Sequence, residues 1–385
     1  MSGQKTLRGA AAIVGIAESV SSTGELELWG RALEAKVIKE ALDDAGLTLA
    51  DVDGVAHAWS SLDLAEFLGI SPVFTEATYT GGSGYELYVE KAAAAIAVGL
   101  AETIVVVYAA TPRSDRKRGT RSWVETPGPR DDFEVPYGLG LMGSYALAAD
   151  RHMTTYGTTS EELAAVAVNT RAWASLNPDA KLRSPLTVDD VMSSPVFCSP
   201  LHLLDCCLVT DGAGAIVITS AERAKALRKA PVYVLGAASC HSHNMIHAMP
   251  DLTLTPGSIS GPRAFRAAGI SVDEVDLLMG YDSFTITALL HLEDLGFFKK
   301  GEAAGFVAEG GTAPGGALPM NTNGGGLSYT HPGMYGIFLL TEAVRQLRGE
   351  AGARQLQKAD VAVAHGSGQF LSAMSTVVLG TEAVL

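Results

Sequence analysis

Asn321-Thr322-Asn323-Gly324-Gly325-Gly326-Leu327-Ser328-Tyr329-Thr330-His331-Pro332-Gly333-Met334-Tyr335-Gly336 is the stretch whose reading decides the rest of this chain. Three consecutive glycines let a backbone pass close to a neighbour, because only glycine lacks the Cβ that blocks the approach. Pro332 suits the first position of a helix, and the apolar spacing from Tyr335 to Leu347 is helical. Polar groups gathered at the mouth of a glycine loop and the start of a helix suit an anion or a carbonyl oxygen. A tight packed turn is the competing reading.

Working outward, a second glycine turn stands far upstream. Tyr79-Thr80-Gly81-Gly82-Ser83-Gly84 follows a strand-like segment at Pro72 to Thr78. It precedes an Ala-rich helical run, Tyr85 to Val98, and a strand at Thr103 to Ala109. Strand, glycine turn and buried helix make an elbow that presents one residue at a helix N-terminus. The remaining N-terminal elements are a strand at Ala11 to Ala17, a helix at Glu25 to Ala45 and a strand at Val52 to Ala58. After the elbow region, 111–199 reads as an insert of loop and helix, with helices at Leu141 to Thr155 and Ser160 to Leu176. A turn at Thr210-Asp211-Gly212 then feeds a strand at Ala213 to Thr219.

From Val232 onward the order of elements repeats. A strand at Val232 to Ala238 precedes a helix at Gly261 to Ala268, a strand at Leu277 to Tyr281 and a helix at Phe284 to Leu295. The glycine loop and its helix come next, and strands at Val361 to Ala364 and Thr376 to Leu379 finish the chain. Alternating strands and helices imply parallel sheets covered by helices, with ligands at the carboxyl ends of the strands. The chain divides into an N-terminal half (1–110 plus 200–222), the insert (111–199) and a C-terminal half (223–385).

The 385 residues are 47% apolar with positive mean hydropathy, enough for two cores or one duplicated core. No apolar run approaches the roughly 18 residues of a membrane span. The N-terminus, Met1 to Thr6, lacks the apolar region of a signal peptide. Cys198, Cys206, Cys207 and Cys240 form no disulfide framework in a chain of this size, which points to the cytoplasm. A net charge of −14 argues against nucleic acid as a partner. The basic run Arg113, Arg116, Lys117, Arg118 and Arg121 reads as a solvated loop, with a phosphate-bearing ligand as the other use of it. Cys240, His241, His243 and His247 have metal-ligand chemistry.

Several segments together carry a resemblance. They are Tyr156-Gly157-Thr158-Thr159, Ser194-Pro195-Val196, Pro200-Leu201-His202-Leu203-Leu204-Asp205-Cys206-Cys207, Asp211-Gly212-Ala213-Gly214-Ala215 and Tyr281-Asp282-Ser283-Phe284. In this order the chain resembles the thiolase superfamily, in its sterol-carrier-protein (lipid-transfer-type) branch. The resemblance implies an α/β thiolase fold, two similar βαβαβαββ halves packed as a five-layered αβαβα core with a long insert.

It also exposes departures. Thiolases carry a nucleophilic cysteine at the elbow, in a Cys-Ala-Ser-Gly context. Here Gly81-Gly82-Ser83-Gly84 stands there, so no acyl-enzyme forms by the usual route. The second family cysteine is replaced in His365-Gly366-Ser367-Gly368, and the Asn-Glu-Ala-Phe loop begins instead with Tyr281. His331-Pro332 survives. The cysteine-lacking, thiolase-like steroid side-chain aldolases share the missing nucleophile and have tyrosines on these two loops.

The resemblance therefore implies retro-aldol cleavage of a β-hydroxyacyl-CoA bearing a steroid, terpenoid or aromatic group. Tyr329 is the expected base and Tyr281 its partner, with His331 donating to the thioester oxygen and His365 as a second acid. Gly81, Gly82, Gly325, Gly366 and Ser367 are expected around the substrate and its oxyanion. Coenzyme A enters only as part of the substrate, with no covalent cofactor. For Cys240, His241, His243 and His247 the resemblance implies a loop beside the substrate tunnel and no metal. A homodimer and a complex with an OB-fold, zinc-ribbon partner are implied as well. A degenerate thiolase that binds acyl-CoA or lipid, or acts as a scaffold, is the alternative reading, and an acyltransferase using Ser83 is a third. The size of the acyl pocket is expected to depend on the Ala110–Ser199 insert and the Ser239–Thr255 loop.

Overall fold

The computed structural model describes residues 7–118 and 134–385. Arg121 of the basic run and the Met1–Thr6 segment lie outside them. The strands, in chain order, are β1 (Ala11–Ser19), β2 (Gly54–Ala56), β3 (Phe74–Glu76), β4 (Thr103–Ala110), β5 (Val196–Cys198), β6 (Leu201–His202), β7 (Gly212–Ser220), β8 (Val232–His241), β9 (Leu277–Gly280), β10 (Val361–Gly368) and β11 (Ala373–Gly380). Apart from the small β5–β6 pair, these form one mixed sheet in the order β3-β2-β4-β7-β1-β8-β11-β10-β9.

The repeat anticipated from element order appears in this sheet as a mirrored plan. From β1, the strands run outward as β7 (antiparallel), β4 (antiparallel) and β2 (parallel). From β8, they run outward as β11, β10 and β9 with the same three pairing senses. The parallel neighbour β3 of the first half has as its counterpart a single bridge between Leu278 and Met320. The halves join where β1 meets β8, at Ala12 opposite Tyr233 and Ile13 opposite Val232. This continuity across the middle is absent from the sequence reading.

Burial on both faces explains why the strands read as unbroken apolar runs. Along β1, Ala11 and Ile13 pack into one cluster while Ala12 and Val14 pack into the other, all fully buried. The first cluster surrounds two central helices, Gly84–Ala97 and Gly336–Leu347, which touch each other and strands from both halves. Helices Gly30–Ala45 and Gly257–Ala268 cover the opposite faces. Helix, sheet, helix, sheet, helix is the five-layer arrangement expected of the thiolase fold.

Three local expectations are corrected. The first helix begins at Gly30 rather than Glu25, because Leu26 N–H donates to Asp211 (3.0 Å), Glu25 is drawn to Arg113 and Lys117, and Gly30 has φ +56°. The described part of the basic run is a helix, Pro112–Arg118, not a loop, and Arg118 lies over the Trp29 ring. Pro332 does not start the last central helix, which begins at Gly336. Gly333 at φ +102° breaks the helical path, and the Tyr108 hydroxyl ties down the Pro332 carbonyl.

Asp211 fastens several of these pieces. Its carboxylate accepts the N–H groups of Arg113 and Ser114 (both 3.0 Å) and of Leu26, and the Ser114 hydroxyl. Asp211→Ala orphans these donors and should lower unfolding free energy by about 3 kcal/mol. A chemical-denaturation midpoint reads this directly.

Candidate active site

The elbow forms as expected. Gly81–Ser83 makes a single 3₁₀ turn and the central helix follows from Gly84. Gly81 has φ +64°, and a Cβ there would lie 2.9 Å from the Gln369 nitrogen, so a side chain at this position is strained on two counts. At Gly82 the conflict is larger. A Cβ would fall 2.1 Å from Cε2 of Tyr281 and 2.7 Å from the Ser367 carbonyl oxygen. The Tyr281 ring thus occupies the space that a side chain at the elbow would need.

From there the Tyr281 hydroxyl reaches His331 Nε2 at 2.9 Å and accepts the Tyr335 N–H at 3.1 Å. The Tyr281 ring stands edge-on to both His331 and Tyr335. His331 is held by its backbone: its N–H donates to the Thr210 hydroxyl (2.8 Å), and Thr210 N–H donates to the His331 carbonyl. Burial pushes the Tyr281 phenol well above its usual range, with Cys207, Tyr145 and Tyr108 adding to the effect. Desolvation pulls His331 down to about 4, so its ring is neutral near pH 7. Tyr281 therefore holds its proton and His331 Nε2 can accept it.

The glycine triplet serves a close approach, and its partner is Asp282. Asp282 Oδ1 accepts the Gly326 N–H at 2.7 Å, and Oδ2 accepts the Leu327 N–H at 3.3 Å. A Cβ on Gly325, itself at φ +60°, would sit 2.0 Å from Oδ2. The Gly325 N–H is taken by the Asn323 side chain (3.0 Å). Burial raises Asp282 to about 7, and the two amides oppose that rise.

Not every residue anticipated for the site comes together. Tyr329 donates to Glu18 at 2.8 Å, and Arg345 holds the same carboxylate at 2.7 Å. Burial and the Glu18 charge push this phenol well up, while Arg345 works against them. His365 turns to the other face of β10: its Nδ1 meets Thr376 (2.9 Å) and its ring stands edge-on to His291, 4.4 Å between centroids. Burial holds His365 at about 3. Gly366 instead turns toward the elbow, where a Cβ would be 2.8 Å from Ser83 Cα. Ser367 lies near Tyr145, whose hydroxyl donates to the Gln369 carbonyl (3.1 Å). Cys207 lies near Tyr281.

A cavity of about 600 Å³ lies between the insert and the 239–255 loop, and only those two segments line it. Leu147, Ile246, Met249 and Leu252 supply apolar wall, and Arg151 and Asp251 supply charge. Leu147 and Arg151 share a helix, Leu141–Tyr156, with Tyr145. In the same loop His247 pairs with Glu134 (3.0 Å), and His243 reaches the Phe370 carbonyl (3.0 Å).

Residues 238–381 match the family model described as thiolase C-terminal domain-like. The chain is 38% identical to the 17-hydroxy-3-oxo-4-pregnene-20-carboxyl-CoA lyase of Mycobacterium tuberculosis, over 89% of this chain and 92% of that one. It is 36% identical to the steroid side-chain-cleaving aldolase of Thermomonospora curvata, over 98% and 99%. A solved Ltp2-ChsH2(DUF35) aldolase superposes with a TM-score of 0.88 at 32% identity, covering 98% of this chain and 99% of that one. The chain belongs to the thiolase superfamily, among its steroid-CoA aldolases. Glycine stands at the cysteine position of the elbow, Gly81, and the Tyr281 ring packs against the residue that follows it, Gly82.

Sequence reasoning passed over Asp282, Glu18 and Glu86. Asp282 stood inside a quoted motif, directly after Tyr281. Glu86 was visible as a carboxyl in the first turn after the glycine elbow.

Gly82→Ala should leave the fold intact but displace the Tyr281 ring. Misplacing a catalytic group by about 1 Å costs on the order of 10²-fold in rate. The expected outcome is such a loss in kcat, beside a destabilisation of about 1–3 kcal/mol from the crowding at Tyr281 and the Ser367 carbonyl.

Proposed function

We propose that this protein cleaves the Cα–Cβ bond of a β-hydroxyacyl-CoA by retro-aldol chemistry, giving a ketone or aldehyde and a shorter acyl-CoA. The observation that carries this is the Tyr281–His331 hydrogen bond at an elbow whose nucleophile position is glycine. The substrate's β-hydroxyl gives its proton to the Tyr281 oxygen as the Tyr281 proton passes to His331 Nε2. Electrons of the O–H bond form the new carbonyl, and those of the Cα–Cβ bond enter the thioester as an enolate. The enolate then takes a proton at Cα, which restores the site. Because the phenol relays rather than ionises, its raised pKa is no obstacle.

The base role expected for Tyr329 moves to this pair, since the Tyr329 hydroxyl is committed to Glu18. Donors for the enolate oxygen are proposed among the N–H groups of the elbow and of the first turn of Gly336–Leu347. The apolar group of the substrate is placed in the 600 Å³ cavity between insert and loop, large enough for a polycycle. Coenzyme A is the substrate's carrier.

The likeness to the Ltp2-ChsH2(DUF35) aldolase supports a partner of that DUF35 class, read as the OB-fold, zinc-ribbon subunit. A homodimer is proposed through β3, which ends the sheet beside exposed Val73, Leu62 and Phe67. Among the described residues no helix is long and apolar enough to cross a membrane. A cytoplasmic location is proposed on the four unpaired cysteines.

Tyr281→Phe and His331→Gln should each lower kcat by about 10²–10⁴-fold while acyl-CoA binding changes little. Rates are read by mass spectrometry of the products from a panel of β-hydroxyacyl-CoA esters, with the partner present. Full activity in Tyr281→Phe would remove the relay. Tight binding by the wild type with no cleavage of any ester would favour the binder or scaffold reading.

A further inference from the structure

The most unusual side chain in the interior is one the mechanism above does not use. Glu86 sits in the first turn of the central helix Gly84–Ala97, fully buried, and neither carboxyl oxygen has a hydrogen-bond partner. Its slot is shaped by absent side chains. A Cβ on Gly366 would fall 2.1 Å from Oε2, and one on Gly336 would fall 2.7 Å from the same oxygen. Gly336 is the first residue of the other central helix, so the carboxyl lies where both central helices begin. Ser375, opposite Gly366 on β11, is a second buried hydroxyl without a partner.

The walls of this slot are also walls of the site. The point where a Gly336 Cβ would stand is 2.2 Å from the Gly82 carbonyl oxygen, and Gly82 carries the Tyr281 ring. The residue before Gly336 is Tyr335, whose N–H donates to the Tyr281 hydroxyl. The elbow contributes Gly82 and Ser83, the second helix Gly336 and β10 Gly366, none of them ionisable. The titratable neighbour is Tyr85 on Glu86's own helix, itself pushed well up by burial. Among the described residues no lysine, arginine or histidine enters the charge balance of Glu86, and burial raises its carboxyl to about 8 against the lowering pull of its own backbone N–H. A carboxylate with no partner is expensive in such a place, and a neutral acid is not.

We propose that Glu86 is a positioning residue that acts as a neutral carboxylic acid. Held uncharged at the first turns of both central helices, it leaves their positive ends to the enolate, and its ionisation in alkaline solution stops cleavage. An ionised Glu86 would draw those N–H groups to itself and oppose the enolate's charge. This rests on the aldolase reading.

The test compares wild type, Glu86→Gln and Glu86→Leu, each with the partner. With a carboxyl titrating at about 8, a rate that needs the neutral form falls roughly thirtyfold between pH 7 and pH 9.5. The wild type should show that fall, and both variants should lose most of it. The same fall in all three overturns the proposal.

Melting temperature gives a readout that does not need turnover. A carboxyl raised from 4.5 to about 8 on folding adds stability that is complete below pH 4.5 and lost as pH rises through 8. The wild type should therefore lose stability relative to Glu86→Gln across that window, and parallel curves would overturn the proposal. If no ester is cleaved by any form, the aldolase reading fails while the melting comparison still decides Glu86. Should neither variant fold, an Asp282→Asn background, which removes the carboxyl titrating at about 7, must still show the infrared carbonyl stretch of a protonated carboxyl at pH 7, fading around pH 8. Its absence would refute the neutral acid.

Discussion

The site depends on a single steric fact: Gly82 has no side chain, and the Tyr281 ring lies where its Cβ would be. An alanine at residue 82 and the observed position of Tyr281 cannot coexist. Once the ring is there, its hydroxyl meets His331, and the Tyr335 N–H fixes the remaining direction. Asp282, the next residue, anchors the glycine loop by two amides, so one dipeptide sets both the phenol that meets His331 and the loop leading to that histidine.

Apart from Asp282, whose carboxyl sits at about 7, the titratable groups around the elbow are neutral for a physical reason. Burial without compensating ions keeps His331 and His365 unprotonated and holds Tyr281 and Glu86 in their proton-bearing forms. Two buried carboxylates behind the site are paired with arginines: Glu18 with Arg345, and Glu342 with Arg354. In such surroundings a developing enolate is the main charge, and oriented N–H groups act on it with little competition from water.

The fold was legible because both halves carry strands buried on two faces and helices at matching places. The motifs around Asp211 and Tyr281 identified the family. The joining of β1 to β8 was not legible, since an apolar strand does not name its neighbour. The site was legible in its loops and less so in its side chains. Tyr281 and His331 were foreseen and do meet. His365 was foreseen but turns away, because residues alternate along β10 and Gly366 takes the inward face. Tyr329 was foreseen as a base, but Glu18 lies 311 residues from it in sequence, and only the folded chain brings that carboxylate to its hydroxyl. The glycine triplet announced a close approach without saying that Asp282 was the partner.

Cleavage in deuterated water tests the central claim most directly, using the protein with its partner, a β-hydroxyacyl-CoA ester and no free coenzyme A. Retro-aldol chemistry through an enolate predicts a ketone or aldehyde and a shortened acyl-CoA carrying one solvent deuterium at Cα, with no mass added to the protein. A requirement for free coenzyme A, or an acyl adduct on the protein at Ser83, would contradict it and return the chain to acyl transfer.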